Sequence, residues 1–381
     1  MDSFLFEPRY IALDSSHLSQ WIRDSLSPSV EERKAAKTFE KWLERNGCLP
    51  LLTLHHISEL CAYDDTQMVA QRLRFLHRQK LIAWISQNDS QPSIGGVTTI
   101  LASEVQAAFQ SPDADVGTVL RLAAKGLIAV GTGEDLLGPD PHDWLDLIPV
   151  FATQNERARE IVALTHTDVI GTSKLTLRKL MNSSRKTGDK LEVSLEIMQG
   201  TFVQEIKASG DRRIDDPEIL AQEFMAAVRA FGDANPGDAK SLVLAGLAEQ
   251  GIEPSDLHLD MTVDEALELG VFFSRVRTVT QGKGMLWQEL KKRVRKSNIP
   301  SAVVVGDVAK FLPTTVERKG SELNDMLLAT LAPYADVTFV DKRMHHAFRQ
   351  AFRKNKSLEE ICNRVERASS YRDIPQIVDS L

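Results

Sequence analysis

Two short apolar runs, close to opposite ends of the chain, each end at an aspartate. Residues 10–13 (YIAL) lead into Asp14, and residues 337–340 (VTFV) lead into Asp341. Runs of this length and composition are typical of buried strands in a parallel sheet. In α/β sheets of this kind, functional groups gather just beyond the carboxyl ends of the strands. The two aspartates, although remote in sequence, are therefore predicted to be neighbours at one rim of a sheet.

Strand-like and helix-like segments alternate in two separate parts of the chain. Residues 1–90 begin with the first of these strands and end with another apolar run at 81–85, and residues 298–381 contain the last strand between helices. This order predicts a discontinuous α/β domain. Residues 91–297 instead show apolar residues at i, i+3 and i+4 spacing, for example over 116–129, which indicates amphipathic helices. We predict that this block is a helical insertion domain.

The amino-acid composition limits the classes of protein to which this chain can belong. The chain has 381 residues, of which 43% are hydrophobic and 26% are charged, as is ordinary for a globular protein. No run approaches the ~18 apolar residues that a membrane span needs. The N-terminus lacks the basic and apolar regions of a secretory signal. Three cysteines (Cys48, Cys61 and Cys362) are not in metal-ligand spacing. The sequence therefore predicts a cytoplasmic protein with no membrane partner, no disulfide and no zinc.

The charge pattern leaves a nucleic-acid partner open. The formal net charge of −7 argues against one over the whole surface. A nuclease, however, needs only a local basic track beside a local acidic pocket. Basic residues cluster at 291–296 and again from Lys342 to Lys356. These clusters either contact nucleic acid or are solvated helix faces, and the sequence alone does not choose between the two.

Four acidic residues stand out by their position relative to the predicted elements. Asp14 and Asp341 end strands, Glu59 lies on a short helix, and Asp325 lies in the first turn of a helix that begins after residue 320. Clustered carboxylates repel one another unless a cation neutralises them, and Mg²⁺ or Mn²⁺ prefers such oxygen ligands. The set therefore predicts a site for one or two of these ions. The alternative is that the four are helix caps and surface acids.

The amino-acid sequences of three segments resemble those of a known protein family. Residues 320–342 look like the C-terminal half of a PIN-like nuclease domain, in which a helix beginning with an aspartate leads into a strand that ends in an acidic or amide residue. Residues 13–16 resemble the first strand and first acid of that family, and residues 56–60 resemble the helix that carries its second acid. The order and setting agree at all four acids, and the resemblance covers residues 1–90 and 298–381.

The resemblance implies a fold and an activity. The fold would be the three-layer α/β PIN-like fold with a central parallel sheet, here interrupted by the large helical insertion. The activity would be metal-dependent hydrolysis of phosphodiester bonds in single-stranded RNA, or less often in single-stranded or flap DNA. Asp14, Glu59, Asp325 and Asp341 would hold one or two Mg²⁺ or Mn²⁺ ions, and a water on the metal would attack phosphorus to leave a 5′-phosphate and a 3′-hydroxyl. The compact family pattern carries no such insertion.

A second group of residues lies next to these four in sequence. Ser15, Ser16 and Ser321 are predicted helix caps that could also hydrogen-bond a water on the metal. Asp336 begins the last strand, so it is predicted to lie at the opposite rim from Asp341, in a turn or a salt bridge. Lys342 and Arg343 follow Asp341 directly and either grip a substrate phosphate or face solvent. Imidazole suits magnesium poorly, so the histidines in the N-terminal region, among them His56, are predicted to be core or surface residues.

Three functions remain open at this point. The first is a metal-dependent endoribonuclease whose insertion selects the substrate or controls access. The second is a PIN-like binding module for nucleic acid or protein, in which the helical insertion is the working surface and catalysis is absent. The third is a nuclease that works only in a complex, with the insertion mediating self-assembly or contact with a protein partner. A binding module has no need of clustered carboxylates, which favours the first function.

Overall fold

The computed structural model describes residues 8–63, 65–87, 93–165, 173–281, 283–312 and 321–380. Within these ranges, six strands form one sheet: β1 (Arg9–Ala12), β2 (Cys48–Leu52), β3 (Ile82–Ile85), β4 (Ile128–Gly131), β5 (Val337–Phe339) and β6 (Arg364–Glu366).

Helices account for most of the remaining described residues. In chain order the α-helices are α1 (Ser15–Leu26), α2 (Val30–Arg45), α3 (Leu54–Leu60), α4 (Thr66–His77), α5 (Val97–Gln110), α6 (Val116–Ala123), α7 (Gly133–Leu137), α8 (Ile148–Thr165), α9 (Leu177–Met181), α10 (Asp189–Ser209), α11 (Pro217–Ala234), α12 (Ala239–Glu249), α13 (Val263–Thr280), α14 (Trp287–Arg293), α15 (Pro300–Ala309), α16 (Ser321–Ala329), α17 (Lys342–Lys354), α18 (Lys356–Ile361) and α19 (Ile374–Asp379). Short 3₁₀ helices cover Pro141–Leu147, Pro254–Asp256, Lys296–Asn298 and Tyr371–Asp373. None of these helices is long and apolar enough to cross a membrane.

The chain divides into two compact units. The first comprises Met1–Gln154, Met285–Pro313 and Asn324–Leu381, and it contains the whole sheet. The second comprises Asn155–Gly284 and Thr314–Leu323, and in it α10 and α11 pack through a small apolar cluster. The sequence prediction instead ended the first part at residue 90 and began the last at residue 298. The first unit extends further because β4 pairs with β3, and because α5 and α6 supply apolar side chains to the core clusters of that unit.

The strand order is β4-β3-β2-β1-β5-β6, and four of the five neighbouring pairs are parallel. The α/β class with a mostly parallel sheet is therefore confirmed. The strand β4, which was not predicted, pairs antiparallel with β3 and is added to the predicted parallel sheet. That strand lies where the sequence predicted one helix over 116–129. The helix ends at Ala123, and Gly126 adopts φ 76°, a left-handed conformation that suits glycine and turns the chain into β4.

Helices cover both faces of the sheet. Side chains of a strand point alternately to opposite faces, and the two faces belong to different apolar clusters. Ile11 packs with residues of α1 to α4, whereas the adjacent Ala12 packs with Ile100 of α5 and with Leu331. Residues 301–305, for which the sequence allowed a strand or a helix, belong to α15, which begins at Pro300. Proline suits this position because its fixed φ matches the first helical turn.

One buried carboxyl ties three segments of the first unit together. Glu104 of α5 is fully buried and accepts hydrogen bonds from the hydroxyl of Tyr334 at 2.7 Å and from the backbone N–H of Ser301 at 3.0 Å. The hydroxyl of Ser301 also bonds to this carboxyl. Burial raises the pKa of Glu104 to about 7, although the three hydrogen bonds lower it. The contacts fasten α5 and α15 to the segment that leads into β5, the strand that ends near Asp341.

Candidate active site

The strand order places the carboxyl ends of β1 and β5 side by side. From β1 the chain proceeds to β2 and β3 on one side, whereas β5 and β6 lie on the other side. The register pairs Ala12 with Thr338, so Asp14 and Asp341 both follow the same end of neighbouring parallel strands. In open α/β sheets the crevice at such a change of direction is the usual ligand site. The two aspartates that define the sequence pattern therefore lie at the position in the sheet where such sites are usually found.

Both aspartates cap the helix that follows them. Asp14 Oδ1 accepts from the backbone N–H of Ser16 at 2.7 Å at the start of α1. Asp341 Oδ1 accepts from the backbone N–H of Met344 at 2.7 Å at the start of α17. The alternative prediction that these acids are caps is thus correct for this pair. A cap bond occupies one carboxylate oxygen and orients the other, so capping and ligand binding are compatible roles.

Glu59 and Asp325 lie on two helices that a hydrogen bond links. Glu59 lies on α3, which follows β2, and its Oε1 accepts from the side-chain amide of Asn324 at 3.1 Å. Asn324 directly precedes Asp325 on α16. Asn324 was not among the residues predicted from the sequence. Only its position beside a predicted ligand could have drawn attention to it, because its partner is 265 residues away. The hydrogen bond fixes the direction of the Glu59 carboxylate and links α3 to α16.

Asp325 lies close enough to the other three acids for their charges to raise its pKa. Burial is the largest cause that raises its pKa, followed by the charges of Asp14, Asp341 and Glu59, whereas Arg343 lowers it. Together these causes raise the pKa of Asp325 to about 8. A carboxyl with three like charges nearby and little solvent holds a proton at neutral pH unless a cation takes its place.

His56 holds the strand end and the helix start in place. It is fully buried, and the backbone N–H of Thr53 donates to its Nδ1 at 3.0 Å. Its Nε2 therefore carries the proton and donates to the carbonyl oxygen of Leu13 at 2.9 Å. Burial lowers the pKa of His56, although the bond to Leu13 and the charges of Glu59 and Asp14 raise it. The ring thus connects the residue before Asp14 to the N-terminus of the helix that carries Glu59, in keeping with the predicted core role.

We expect His56→Ala to lower the free energy of unfolding by about 3 kcal/mol, because it leaves a cavity and two buried backbone groups without partners. Urea denaturation followed by circular dichroism measures this change. The matched control is His346→Ala, an exposed histidine on α17, for which we expect a change within about 0.5 kcal/mol. Equal stabilities of the two variants would show that the ring does not hold these elements together.

The second group of residues divides by position. Ser16 is exposed and only its backbone N–H contacts Asp14, whereas the hydroxyl of Ser15 is buried without a hydrogen-bond partner among the described residues. The side chain of Ser321 lies outside the described residues. Asp336 lies at the amino end of β5, opposite to the end that leads to Asp341, and its Oδ2 accepts from the backbone N–H of Tyr10 at 2.7 Å. Asp336 therefore joins β5 to β1 and does not belong to the carboxylate cluster.

Of the two predicted substrate-binding cations, one faces the carboxylates and one faces solvent. Arg343 is half-buried, and its Nε lies 3.8 Å from Oδ2 of Asp341. It also lowers the pKa of Asp325, as a cation close to that carboxyl must. Lys342 is exposed at the first position of α17. Arg343 thus neutralises part of the cluster, whereas Lys342 stands beside it.

The cluster suits a hard divalent cation in charge and in donor type, but it is not a closed ligand cage. Four carboxylates offer only oxygen donors, and the buried hydroxyl of Ser15 is an orphaned polar atom next to Asp14. Among the described residues, no group of three or more His, Cys, Asp or Glu side chains is arranged to hold a metal ion. Mg²⁺ commonly binds through one or two carboxylates and keeps several waters, so a site of this kind does not need three direct ligands.

No protein-family model, curated protein or solved structure matches this chain. The resemblance to PIN-like nucleases therefore rests on the residues and their order alone. The description of the site likewise depends on the strand register, the hydrogen bonds and the charges of the chain itself.

Proposed function

We propose that this chain is a metal-dependent phosphodiesterase of PIN-like fold that hydrolyses single-stranded RNA. The observations that carry the proposal are that Asp14 and Asp341 follow the same ends of the neighbouring strands β1 and β5, and that the charges of Asp14, Asp341 and Glu59 act on the half-buried Asp325. In α/β sheets, ligands bind at this end of the strands. Acidic side chains that lie close together on a surface repel one another, and this repulsion costs free energy. A group of half-buried carboxylates is favourable once a cation is present.

Each residue of the cluster has a distinct task in this proposal. Asp14 and Asp341 are held by their cap bonds, so their carboxylates have fixed directions. Glu59 is oriented by Asn324. Asp325, with its raised pKa, holds a proton at neutral pH and would release it on binding a cation. Arg343 offsets part of the negative charge and would contact a phosphate oxygen of the substrate.

The cation explains how an acidic site accepts an acidic substrate. Without neutralisation, the carboxylates repel a phosphodiester. When bound, Mg²⁺ or Mn²⁺ lowers the pKa of a coordinated water and stabilises charge on the phosphoryl group. The half-buried positions of Asp14, Glu59 and Asp325 limit the water that surrounds them, which strengthens these electrostatic interactions.

The choice of RNA and of the PIN-like fold follows from the resemblance of residues 13–16, 56–60 and 320–342. Helices on both faces of a mostly parallel sheet, with β1 central, are compatible with that fold. The antiparallel β4 and the second compact unit are additions to the compact pattern. We assign no activity to the second unit.

The test is cleavage of end-labelled single-stranded RNA and single-stranded DNA of the same sequence, with Mn²⁺, with Mg²⁺ and with EDTA. We expect RNA to be cut in the presence of either metal, to leave 5′-phosphate and 3′-hydroxyl ends, and to stay intact in EDTA. Asp14→Asn is expected to remove the activity. Cleavage that survives both EDTA and Asp14→Asn would overturn the proposal. Binding of RNA without cleavage by the wild-type protein in either metal would instead favour a binding module.

A further inference from the structure

Helix α17 has two contrasting faces. Met344, Ala347, Phe348 and Ala351 are buried in an apolar cluster with α15 and α18. On the other side, four exposed residues follow at intervals of four, three and four, which places them in one narrow line along the helix. These residues, here called the basic stripe, are Lys342, His346, Arg349 and Arg353.

The basic stripe is not neutralised by neighbouring acids. The helix contains no Asp or Glu, although the whole chain has a net charge of −7. Among the described residues, Lys342, Arg349 and Arg353 form no ion pair, in contrast to Arg343, which faces Asp341. Burial is the largest cause that lowers the pKa of His345, and the charges of Arg349 and the exposed Arg367 lower it further, so the positive surface widens beyond the helix. The one acid acting on that histidine is Glu366, which also pairs with Arg364 at 3.6 Å.

We propose that the basic stripe binds the sugar–phosphate backbone of the single strand that enters the carboxylate site. This inference rests on the proposed function, because it names the route by which the substrate of that site is held. Asp341 caps the helix, so Lys342 lies beside the cluster and Arg353 lies ~16 Å further along the axis. Lys342 and Arg349 are separated by two helical turns and Arg349 and Arg353 by one, so the three cations can contact phosphates along one extended strand.

A single strand fits this surface better than the other polyanions. Duplex recognition needs contacts that span two backbones across a groove, whereas the basic stripe is one line of charges. An anionic membrane would be met by apolar side chains beside the charges, but the apolar residues of α17 face the core. Electrostatic grooves that follow one backbone are typical of proteins that bind single-stranded nucleic acid.

The experiment measures the affinity of the full chain for fluorescein-labelled oligouridine of 20 nucleotides, by anisotropy, in EDTA, between 0.1 and 1 M salt. The test variant is Arg349→Gln with Arg353→Gln, and the matched control is Lys34→Gln with Lys41→Gln, two exposed lysines on α2. Each lost phosphate contact lowers the salt slope by ~0.7, so the test variant should bind ~25-fold more weakly at 0.1 M salt and equally at 1 M. The control should match the wild type. Glutamine is a good helix former, and thermal melting of each variant verifies the fold.

The outcomes separate this inference from the proposed function. If the Arg349→Gln, Arg353→Gln variant showed the same salt dependence of oligouridine affinity as the wild type, and the wild type cleaved RNA, the role of the basic stripe would be refuted. The proposed nuclease activity would then still hold. A reduced slope in that variant, with no cleavage by the wild type under any metal, would support the basic stripe and defeat the nuclease. The inference would also be overturned, in favour of a membrane surface, if the Arg349→Gln, Arg353→Gln variant bound oligouridine as tightly as the wild type but bound anionic phospholipid vesicles more weakly.

Discussion

Replacing any of the three aspartates in the cluster by asparagine should reduce cleavage of single-stranded RNA by ~10²–10³-fold, which corresponds to ~3–4 kcal/mol of lost stabilisation in the transition state. Asp14→Asn, Asp325→Asn and Asp341→Asn each keep the shape of the side chain and remove one negative charge. Asn at positions 14 and 341 can still cap a helix, so the fold should persist. Initial rates at saturating Mn²⁺ measure the effect.

Asp336→Asn is the matched control for these variants. Asp336 begins the strand that ends near Asp341, and its carboxylate bonds to the backbone of Tyr10, an interaction that an amide oxygen can also make. We expect its activity to lie within about twofold of the wild type. If Asp336→Asn loses as much activity as the other three variants, the effect is a general loss of structure, and the cluster has no special role.

The second large effect is a pH dependence of metal binding. The pKa of Asp325 is raised to about 8, so one proton must leave when a cation binds below that pH. We expect the apparent affinity for Mn²⁺ to rise about tenfold per pH unit as the pH approaches 8 and then to level off. Calorimetric titration in two buffers of different ionisation enthalpy should show release of about one proton per ion near pH 6.5.

The same shift acts in the opposite direction on the stability of the metal-free protein. The folded state binds this proton more tightly than the unfolded chain, in which the pKa lies near the ordinary value of 3.8. The stabilisation by Asp325 is therefore complete below about pH 4 and is lost as the pH rises towards 8. Asp325→Asn should consequently raise the free energy of unfolding at pH 8 by ~1–2 kcal/mol while it removes activity. A variant that is less stable than the wild type at pH 8 would contradict the raised pKa.

Much of the fold could be predicted from the local pattern of the sequence. The runs at 10–13 and 81–85 are apolar throughout, which is how strands buried on both faces read. The segment at 116–129 shows where this approach failed. Its apolar spacing continues the period of a helix past Ala123, and only the turn at Gly126 and pairing with β3 reveal a strand. Partners in a sheet lie outside any local window, so tertiary structure decided the outcome.

The site could be predicted in part for a related reason. Asp14 and Asp341 could be predicted because the ends of strands can be recognised from the sequence, and the parallel register of β1 and β5 brings those ends together. The contact of Asn324 with Glu59 and the structural role of His56 could not be predicted, because each depends on a partner that is distant in sequence. The placement of charge on the exposed side of α17, by contrast, follows from helical spacing alone. Contacts between segments that are distant in sequence could therefore not be predicted.

The most direct test is to count bound Mn²⁺ at pH 8 by electron paramagnetic resonance, in which the sharp signal of the free ion disappears on binding. The wild type and Asp336→Asn should each bind one or two ions with the same affinity, and Asp325→Asn should bind at least ~10-fold more weakly. This measurement depends on neither the substrate nor the reaction. Absence of binding by the wild type, or equal binding by Asp325→Asn, would contradict the assignment of the four carboxylates as a metal site.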